Sequence, residues 1–162
     1  MISVRRMSPT QWTTRFATAD DADEVARLLH DFNTEFATPS PGPAVLVPRL
    51  RVLLAGADTV AILAGTPAVA LALITLRTNV WYDGRVALLD ELYVVPELRG
   101  RGIGASIIGA MMTMARAEGV DLIEINVDEG DVDAQRFYQR HGFAVTEPGS
   151  SERAFYYSQE II

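Results

Sequence analysis

The spacing of hydrophobic residues in the first third of the chain predicts one strand and two helices. Residues 12–17 have the composition of a short strand, and residues 21–36 repeat apolar side chains at helical spacing. These apolar positions are Val25, Leu28, Leu29, Phe32 and Phe36. Asp20 offers the helix an N-cap, and the prolines within 38–43 end it because proline cannot continue a helix. A shorter helix is predicted over 45–54.

The middle of the chain has the pattern of β-strands. Residues 59–64 and 68–76 are rich in aliphatic side chains, and the short connection Gly65-Thr66-Pro67 between them is typical of a hairpin. The next run, 86–95, is apolar at nearly every position, with two adjacent acids as the exceptions. A strand that is covered on both faces has this pattern. We therefore expect this run at the centre of a sheet.

Helix and strand patterns alternate in the last third of the chain. A helical stripe over 102–118 ends at a glycine suited to a C-cap, residues 120–127 form a strand-like run, and residues 132–141 predict another helix. Two short apolar runs, 143–146 and 154–157, are predicted to be the closing strands.

The order of these elements predicts a single α/β domain. Strands that are followed by alternating strands and helices indicate a mixed, largely antiparallel central sheet with helices on both faces. The 162 residues fit one domain. We expect this domain over 12–162, after a loose N-terminal leader at 1–11.

The composition argues against several classes of function. The chain has no cysteine and only two histidines, which are far apart, so neither a disulfide framework nor a metal site is expected. Its formal net charge of −7 argues against nucleic-acid binding and is compatible with a cationic substrate. No apolar run approaches the about 20 residues of a membrane helix, and the start lacks a signal-peptide pattern. We therefore expect a cytoplasmic protein that does not contact membranes.

The glycine-rich stretch after the central strand is the most informative part of the sequence. Gly100, Gly102 and Gly104 stand at alternate positions where the helix at 102–118 begins, and they let the backbone approach a ligand closely. The free N–H groups of a helix's first turn favour an anion. Arg99 and Arg101 flank the glycines in an otherwise acidic chain. Together these features predict a phosphate-binding cradle.

Two other interpretations of the glycine-rich turn stay open at this point. The string from Gly100 to Ala105 satisfies the relaxed dinucleotide fingerprint G-x-G-x-x-A, but such a match alone is weak. A dinucleotide fold would place the first glycine directly after the strand, whereas residues 96–99 intervene here. The second alternative is a turn that binds no ligand.

Two blocks of the chain resemble the GNAT family of N-acetyltransferases. The run Arg99-Gly100-Arg101-Gly102-Ile103-Gly104 resembles the family signature R/Q-x-x-G-x-G/A. The run from Asp131 to Phe143 resembles N-x-x-A-x-x-F-Y-x-x-x-G-F, with Asp131 in place of the asparagine. The resemblance extends from about Trp12 to Tyr157. It implies the GNAT fold, acetyl-CoA as the co-substrate without a metal, and transfer of the acetyl group to an amine.

The same resemblance implies which residues bind acetyl-CoA. The strand segment Leu92-Tyr93-Val94 occupies the position whose backbone bonds the pantetheine arm in the family, and the glycine-rich turn binds phosphate. The implied cofactor-binding residues are Leu92, Tyr93, Val94, Arg99, Gly100, Arg101, Gly102, Ile103, Gly104, Ala105, Asp131 and Ala134.

Acetyl transfer also needs a base, because an alkyl amine with a pKa of about 10.4 is protonated at neutral pH. Asp90 and Glu91 are the acids of the strand before the turn. Strict alternation places them on opposite faces unless a bulge turns both to one side. Under strict alternation Asp90 shares the face of Leu92, which slightly favours Asp90 over Glu91 as the base. The alternative is that both acids pair with Arg77 or Arg85.

The remaining site residues follow from the resemblance and from the aromatic positions. Tyr138 matches the family tyrosine that donates a proton to the CoA thiolate; its alternative role is that of a core aromatic beside Phe137. The acceptor site is expected between the first helix and the loop before the central strand. Its candidate lining residues are Phe32, Glu35, Phe36, Trp81 and Tyr82. The alternative for each of them, which is favoured on general grounds, is packing in the core or on the surface, because amphipathic helices routinely carry such side chains.

The leading hypothesis is an active N-acetyltransferase for a small-molecule or peptide amine. A catalytically silent CoA-binding sensor or interaction domain is the alternative, and an acyltransferase that uses a longer acyl-CoA is a third interpretation. The closing strands and the apolar end Ile161-Ile162 permit a homodimer.

Overall fold

The computed structural model describes residues 12–161. These residues belong to two compact units, one that ends at Glu124 and one that begins at Ile125. The leader predicted at 1–11 lies outside the described residues.

The helices and strands lie close to their predicted positions. The first unit contains the strands β1 (Thr14–Phe16), β2 (Thr59–Ala64), β3 (Ala70–Thr78) and β4 (Arg85–Val94) and the helices α1 (Ala22–Glu35), α2 (Pro43–Ala55) and α3 (Ile103–Ala117). Strand β5 (Val120–Ile125) ends at the boundary, and helix α4 (Val132–Arg140) belongs to the second unit.

The five strands form one open sheet in the order β1-β2-β3-β4-β5. The first four strands pair antiparallel, each with the next along the chain. Helix α3 connects β4 to its neighbour β5, which is the kind of crossover that parallel strands require. The sheet is therefore mixed and largely antiparallel, and the predicted α/β fold class is confirmed.

Helices α1 and α2 pack on one face of this sheet. Val25 and Leu28 of α1 are fully buried in one cluster with Leu63 of β2 and Leu71 of β3, and Leu50 of α2 belongs to the same cluster. Burial of each large apolar side chain contributes about 1.5–3 kcal/mol. This core holds α1 against the central strands.

The start of α1 differs from the prediction in one detail. Asp20 is not the N-cap; a short 3-10 turn precedes the helix, and Thr18 and Asp21 form a capping box around it. Asp21 also pairs with Arg15 on β1 at 2.9 Å. Hydrogen bonds from the Arg15 side chain and from the Thr18 backbone lower the pKa of the Asp21 carboxyl. The turn thereby fixes the first strand to the start of the helix.

Helix α3 packs on the opposite face. Ile103, Ile107 and Met111 recur every four residues and are fully buried, as expected for the inner stripe of an amphipathic helix. Neighbouring residues of a strand face opposite ways, so Ile62 of β2 points away from the α1 side that Leu63 occupies. Ile62 is buried as well. The central strands are therefore covered on both faces, as their apolar composition predicts.

The prolines between α1 and α2 also begin the second helix. Pro43 is the first residue of α2, two positions before the predicted start, and the preceding Gly42 has a φ of +87°. Proline is well suited to the first helical position because its fixed φ matches the helix and no N–H is needed there. The same cluster that stops α1 therefore starts α2.

The two closing strands predicted at 143–146 and 154–157 are wrong. In this part of the second unit, the structure has only an isolated bridge between Thr146 and Arg153. The three aromatic side chains of the second run are 68, 72 and 87% exposed. A strand needs a neighbouring strand to satisfy its N–H and C=O groups, and a short apolar run does not specify that neighbour.

A close backbone approach holds the turn before β4 against the turn before β5. The N–H of Gly84 donates to Asp121 Oδ2 at 2.7 Å, and the N–H of Arg85 donates to the Gly119 carbonyl oxygen at 3.0 Å. A Cβ added at Gly84 would overlap that carbonyl oxygen. Glycine is therefore required here by space, since backbone atoms cannot move aside as a flexible side chain can.

We expect Gly84→Ala to lower the free energy of unfolding by roughly 1–3 kcal/mol, the usual cost of forcing extra atoms into a packed site. The measurement is urea-induced unfolding followed by circular dichroism. Gly109→Ala is the matched control, because a Cβ there meets nothing within 4 Å inside α3. It should raise stability by about 0.5–1 kcal/mol through helix propensity. Equal stability of the two variants would contradict the close approach at Gly84.

Candidate functional site

The turn between β4 and α3 leaves its backbone open to a ligand. A 3-10 turn at 96–98 follows the strand, and Gly100 and Gly102 then have φ angles of +74° and +82°. This left-handed region is one that other residues rarely adopt. A Cβ at either glycine would meet no atom of the described residues within 4 Å. The conformation therefore explains these glycines, and none of residues 12–161 fills the space beside them.

The N-terminus of α3 carries hydrogen-bond donors without a cap. Gly102 is the N-cap residue and offers no side chain, and the first helical bond runs from Ser106 N–H to the Gly102 carbonyl oxygen at 3.0 Å. Within the described residues, the N–H groups of Ile103, Gly104 and Ala105 have no acceptor. These donors and the helix dipole favour an anion. The turn therefore fits an anionic group such as a phosphate.

Arg101 provides a positive charge beside this helix end. Its side chain is exposed, and no ion pair of the described residues includes it. The Arg101 carbonyl oxygen accepts a hydrogen bond from the Trp12 indole at 3.2 Å, which ties the turn to the residues before β1. The guanidinium is thus not engaged in an ion pair with a described residue, and its contact with a phosphate stays a prediction.

Arg99, the other predicted cofactor-binding arginine, is engaged within the protein. Its terminal nitrogens bond both carboxylate oxygens of Glu35 on α1, at 2.6 and 2.7 Å. Its Nε donates to the Val94 carbonyl oxygen at 2.9 Å, and its guanidinium lies 5.8 Å from the centre of the Tyr93 ring. The hydrogen bond from Arg99 lowers the pKa of the Glu35 carboxyl. Glu35 is therefore paired and is not a free carboxylate for an amine.

An aromatic cluster surrounds this ion pair. The Phe32 ring stacks on Tyr93 with centroids 5.3 Å apart, and Phe36 contacts Phe32 edge-on at 5.1 Å. Burial, and then the nearby Glu35 carboxylate, raise the pKa of the Tyr93 phenol. The structure thus brings together three predicted acceptor-site residues, two of them aromatic, at the end of β4 that leads into the turn.

A β-bulge interrupts β4 at the two predicted catalytic acids. Leu73 of β3 lies opposite Glu91, but the next residue, Ile74, lies opposite Leu89. Asp90 is therefore the extra residue on the β4 side of the ladder. Such a residue bends its strand and changes the direction of neighbouring side chains.

Because of the bulge, both acids lie on the α1 side of the sheet. Glu91 is paired with Leu73, which packs against the α1 core. The hydroxyl of Thr75, on the same face of β3 as Leu73, donates to Asp90 Oδ2 at 2.6 Å. The expectation that Asp90 shares the face of Leu92 is therefore wrong, since strict alternation does not hold across an inserted residue.

The two acids have no cation partner among the described residues. Arg77 pairs with Glu124 at 2.6 Å, and Arg85 pairs with Asp58. The alternative in which the acids neutralise these arginines is therefore not supported. Burial, followed by the neighbouring Asp90 charge, raises the pKa of Glu91.

Trp81 and Tyr82 lie at the other end of the central strand. They precede β4, whose nine steps from Arg85 to Val94 span about 30 Å. The Trp81 side chain is 85% exposed. The structure therefore does not bring these two residues together with the aromatic cluster near the turn.

In the second unit, Asp131 has a structural role at the start of α4. Its Oδ1 accepts a hydrogen bond from the Ala134 N–H at 3.0 Å, which makes it the N-cap. Aspartate and asparagine are both good N-caps because each has a side-chain oxygen that accepts such a bond. The replacement of the family's asparagine by Asp131 thus preserves this helix start.

Tyr138 lies within the aromatic residues of the same unit. Its ring contacts Phe137 and Phe143 edge-on, with centroids 5.2 and 5.8 Å apart. Its carbonyl oxygen accepts hydrogen bonds from the N–H groups of His141 and Phe143, which end α4. These contacts hold the tyrosine in place from both sides.

No group of three or more His, Asp or Glu side chains within residues 12–161 is arranged to hold a metal ion. No helix in this range is long and apolar enough to cross a membrane.

Sequence reasoning missed Thr75 and left the bulge as an open possibility. A threonine in a strand is ordinary, and a single sequence contains no local signal that shows an inserted residue in a ladder. The hint available was chemical, because two adjacent acids in a buried strand are costly unless both reach a polar environment.

Comparison with known proteins extends these observations. Residues 14–143 match the acetyltransferase (GNAT) family. A solved structure assigned to an acetyltransferase from Arthrobacter sp. FB24 is 49% identical, covers 96% of this chain and 99% of its own, and superposes with a TM-score of 0.87.

Two curated relatives show similarity at lower identity or over a shorter span. Aminoalkylphosphonate N-acetyltransferase from Salmonella typhimurium is 25% identical over 139 residues, which are 80% of this chain and 82% of that protein. Uncharacterized N-acetyltransferase MJ1207 from Methanocaldococcus jannaschii is 38% identical over 58 residues. That match covers 36% of this chain and 26% of the relative's length.

We expect Asp90→Asn to lower the pKa of Glu91, because the change removes the adjacent negative charge that raises it. Carbon-13 NMR titration of glutamate-labelled protein measures the shift. Asp83→Asn, which removes the same charge from the loop before β4, is the control and should leave Glu91 unchanged. An upward or absent shift in Asp90→Asn would contradict the shared orientation of the two acids.

Proposed function

The chain belongs to the acetyltransferase (GNAT) family, and we propose that it transfers the acetyl group of acetyl-CoA directly to a primary amine of a small molecule or peptide. The observation that carries this proposal is the bulge in β4. It turns Asp90 and Glu91 to one face of the strand that leads into the anion-binding turn.

The turn supplies the groups that would hold acetyl-CoA. The N–H groups at the start of α3, with the Arg101 guanidinium, would bind its phosphates, and the backbone of 92–94 would bind its pantetheine arm. When bound, acetyl-CoA supplies an acetyl group that is activated as a thioester. The protein's task is then to orient the acceptor and to move two protons.

Glu91 is the proposed base. Its raised pKa makes it a stronger proton acceptor than an ordinary glutamate, which suits the removal of a proton from an ammonium group. Asp90 accepts a hydrogen bond from the Thr75 hydroxyl, which orients its carboxylate. That carboxylate would hold the acceptor's ammonium group close to Glu91.

The step balances with two side chains. Glu91 first takes one proton from the acceptor's ammonium group and passes it to solvent. The neutral nitrogen then attacks the thioester carbonyl carbon, a C–N bond forms as the C–S bond breaks, and the second proton that the nitrogen loses replaces the one that Tyr138 gives up. Tyr138 donates a proton to the departing sulfur, as the family resemblance implies. A phenol suits this role because its ordinary pKa of about 10 keeps it protonated at neutral pH.

The charge pattern supports a cationic acceptor. Asp23, Asp31 and Glu35 on α1 each form an ion pair with an arginine, whereas Asp90 and Glu91 form no ion pair with any of the described residues. An ammonium group would satisfy these two acids. Phe32 and Phe36 offer apolar surface for the remainder of such a substrate. The amine named for the Salmonella relative makes aminoalkylphosphonates one class to include in a screen.

A catalytically silent CoA-binding domain remains the alternative, and no observation favours it. Cytoplasmic location and homodimer formation stay predictions of the sequence.

We expect Arg101→Ala to weaken acetyl-CoA binding about tenfold, as the loss of a charge-assisted contact of about 1.5 kcal/mol implies. Isothermal titration at two salt concentrations measures it, and the variant should also show a smaller salt dependence. Arg116→Ala, which removes an exposed arginine from the last turn of α3, is the control. Equal affinity in both variants would argue against a phosphate contact at Arg101, and no binding by the unaltered protein would overturn the proposed function.

We expect Glu91→Gln to lower kcat by roughly 100-fold or more, the usual contribution of a general base. The deficit should narrow as the pH approaches the amine's own pKa, because the neutral amine then forms in solution. Release of CoA can be followed with a thiol reagent, since the chain contains no cysteine that would react. Tyr138→Phe tests the proton donor in the same assay. A Glu91→Gln variant with normal kcat at neutral pH would exclude Glu91 as the base.

A further inference from the structure

The ion pair between Arg99 and Glu35 joins two parts of the first unit that are distant in sequence. Glu35 is the last residue of α1, and Arg99 lies 64 positions later, directly before the glycines of the turn. All three guanidinium nitrogens have a partner: two bond the Glu35 carboxylate and one bonds the Val94 carbonyl oxygen. A planar fork matched to a carboxylate is the strongest form of such a pair.

Arg99 also forms hydrogen bonds to the residues just before it in the turn. Its Nε bonds the carbonyl oxygen five residues earlier, and its own N–H donates to the Pro96 carbonyl oxygen at 3.3 Å. The next residues have fewer restraints, because Gly100 and Gly102 have no side chains and tolerate many conformations, and the Trp12 indole holds only the Arg101 carbonyl oxygen between them. The conformation of the open amides therefore depends in large part on what holds Arg99.

The pair compensates charge at the end of α1. A carboxylate at a helix C-terminus lies at the negative end of the helix dipole, where a cation is favoured. The last turn of α1 contains no basic residue. Arg99 supplies that cation from outside the helix, so the ion pair stabilises both the end of α1 and the glycine-rich turn.

We propose that Glu35 is a positioning residue for acetyl-CoA: through Arg99 it holds the glycine-rich turn in the conformation that presents the amides of α3. The inference rests on the proposed function, because it assumes that the turn binds acetyl-CoA. It assigns Arg99 to the support of the turn and leaves Arg101 as the arginine that contacts phosphate. It also connects α1, which carries Phe32 and Phe36, to the affinity for the cofactor.

The proposal predicts an effect opposite in sign to that of simple electrostatics. Acetyl-CoA is an anion, so the removal of a negative charge from the protein should strengthen its binding. If Arg99 bound phosphate directly, Glu35→Gln would also free its guanidinium and strengthen binding further. If Glu35 positions the turn, the same change weakens binding, because the turn loses its preorganised conformation.

The experiment is isothermal titration of acetyl-CoA into the full chain and into Glu35→Gln, Glu35→Ala, Arg99→Ala and the double alanine variant. We expect each single alanine change to weaken binding by roughly 2- to 30-fold, the range of measured couplings through positioning residues. The double variant should bind no more weakly than the weaker single variant, because both remove one interaction. Thermal unfolding of each variant checks that the fold is retained.

Two further variants sharpen the test. Asp23→Asn removes a carboxylate from the first turn of α1, where it pairs with Arg51 at 3.1 Å, and should leave the affinity unchanged or slightly higher. Arg99→Lys keeps the positive charge but lacks the planar fork. The Arg99→Lys variant should bind acetyl-CoA weakly if Arg99 supports the turn, and should bind it normally if only the positive charge matters.

The outcomes separate this inference from the proposed function. Normal binding by the unaltered protein together with unchanged or tighter binding by Glu35→Gln would overturn the positioning role alone. Additive losses in the double variant, or full affinity in Arg99→Lys, would overturn it as well. An unaltered protein that does not bind acetyl-CoA would overturn the proposed function and, with it, this inference.

Discussion

The pairing of β3 with β4 shifts by one residue between Leu73 and Ile74, and the arrangement of the candidate site depends on that shift. An ordinary ladder would place Asp90 and Glu91 on opposite faces of the sheet, one of them against the buried side of α3. The inserted residue puts both carboxyl groups on the α1 side, where Thr75 meets one and partial burial raises the pKa of the other. Regular antiparallel pairing of β3 with β4 before and after the bulge keeps this local irregularity in place.

Several acids of the first unit form ion pairs with arginines. Arg99 pairs with Glu35, Arg77 with Glu124 and Arg85 with Asp58, whereas the two acids at the bulge of β4 form no ion pair with a described residue. In the proposed function, a protein with an acidic net charge would thereby bind both an anionic cofactor and a cationic acceptor. The anion would contact backbone N–H groups and Arg101 at the start of α3, and the cation would contact the carboxylates of β4.

Much of this molecule could be predicted because its signals are local. Helical spacing, prolines and C-cap glycines located the four helices, and aliphatic runs located β2 to β5. The prediction of the closing strands was wrong because a short apolar run does not specify the strand with which it pairs. The aromatic residues of the second run are exposed in the structure. The N-cap of α1 moved by one residue because a 3-10 turn, capped by Thr18, precedes the helix.

The sequence by itself determined the four helices and the five strands of the sheet, the glycine-rich turn, the family and the identities of the two acids. Each of these depends on neighbouring residues or on a short motif. Only the tertiary structure decided that Asp90 and Glu91 share a face, that Thr75 orients Asp90, and that Arg99 is held by Glu35. The physical reason is that strand register and ion pairs join residues far apart along the chain, and no local pattern encodes which distant group completes them.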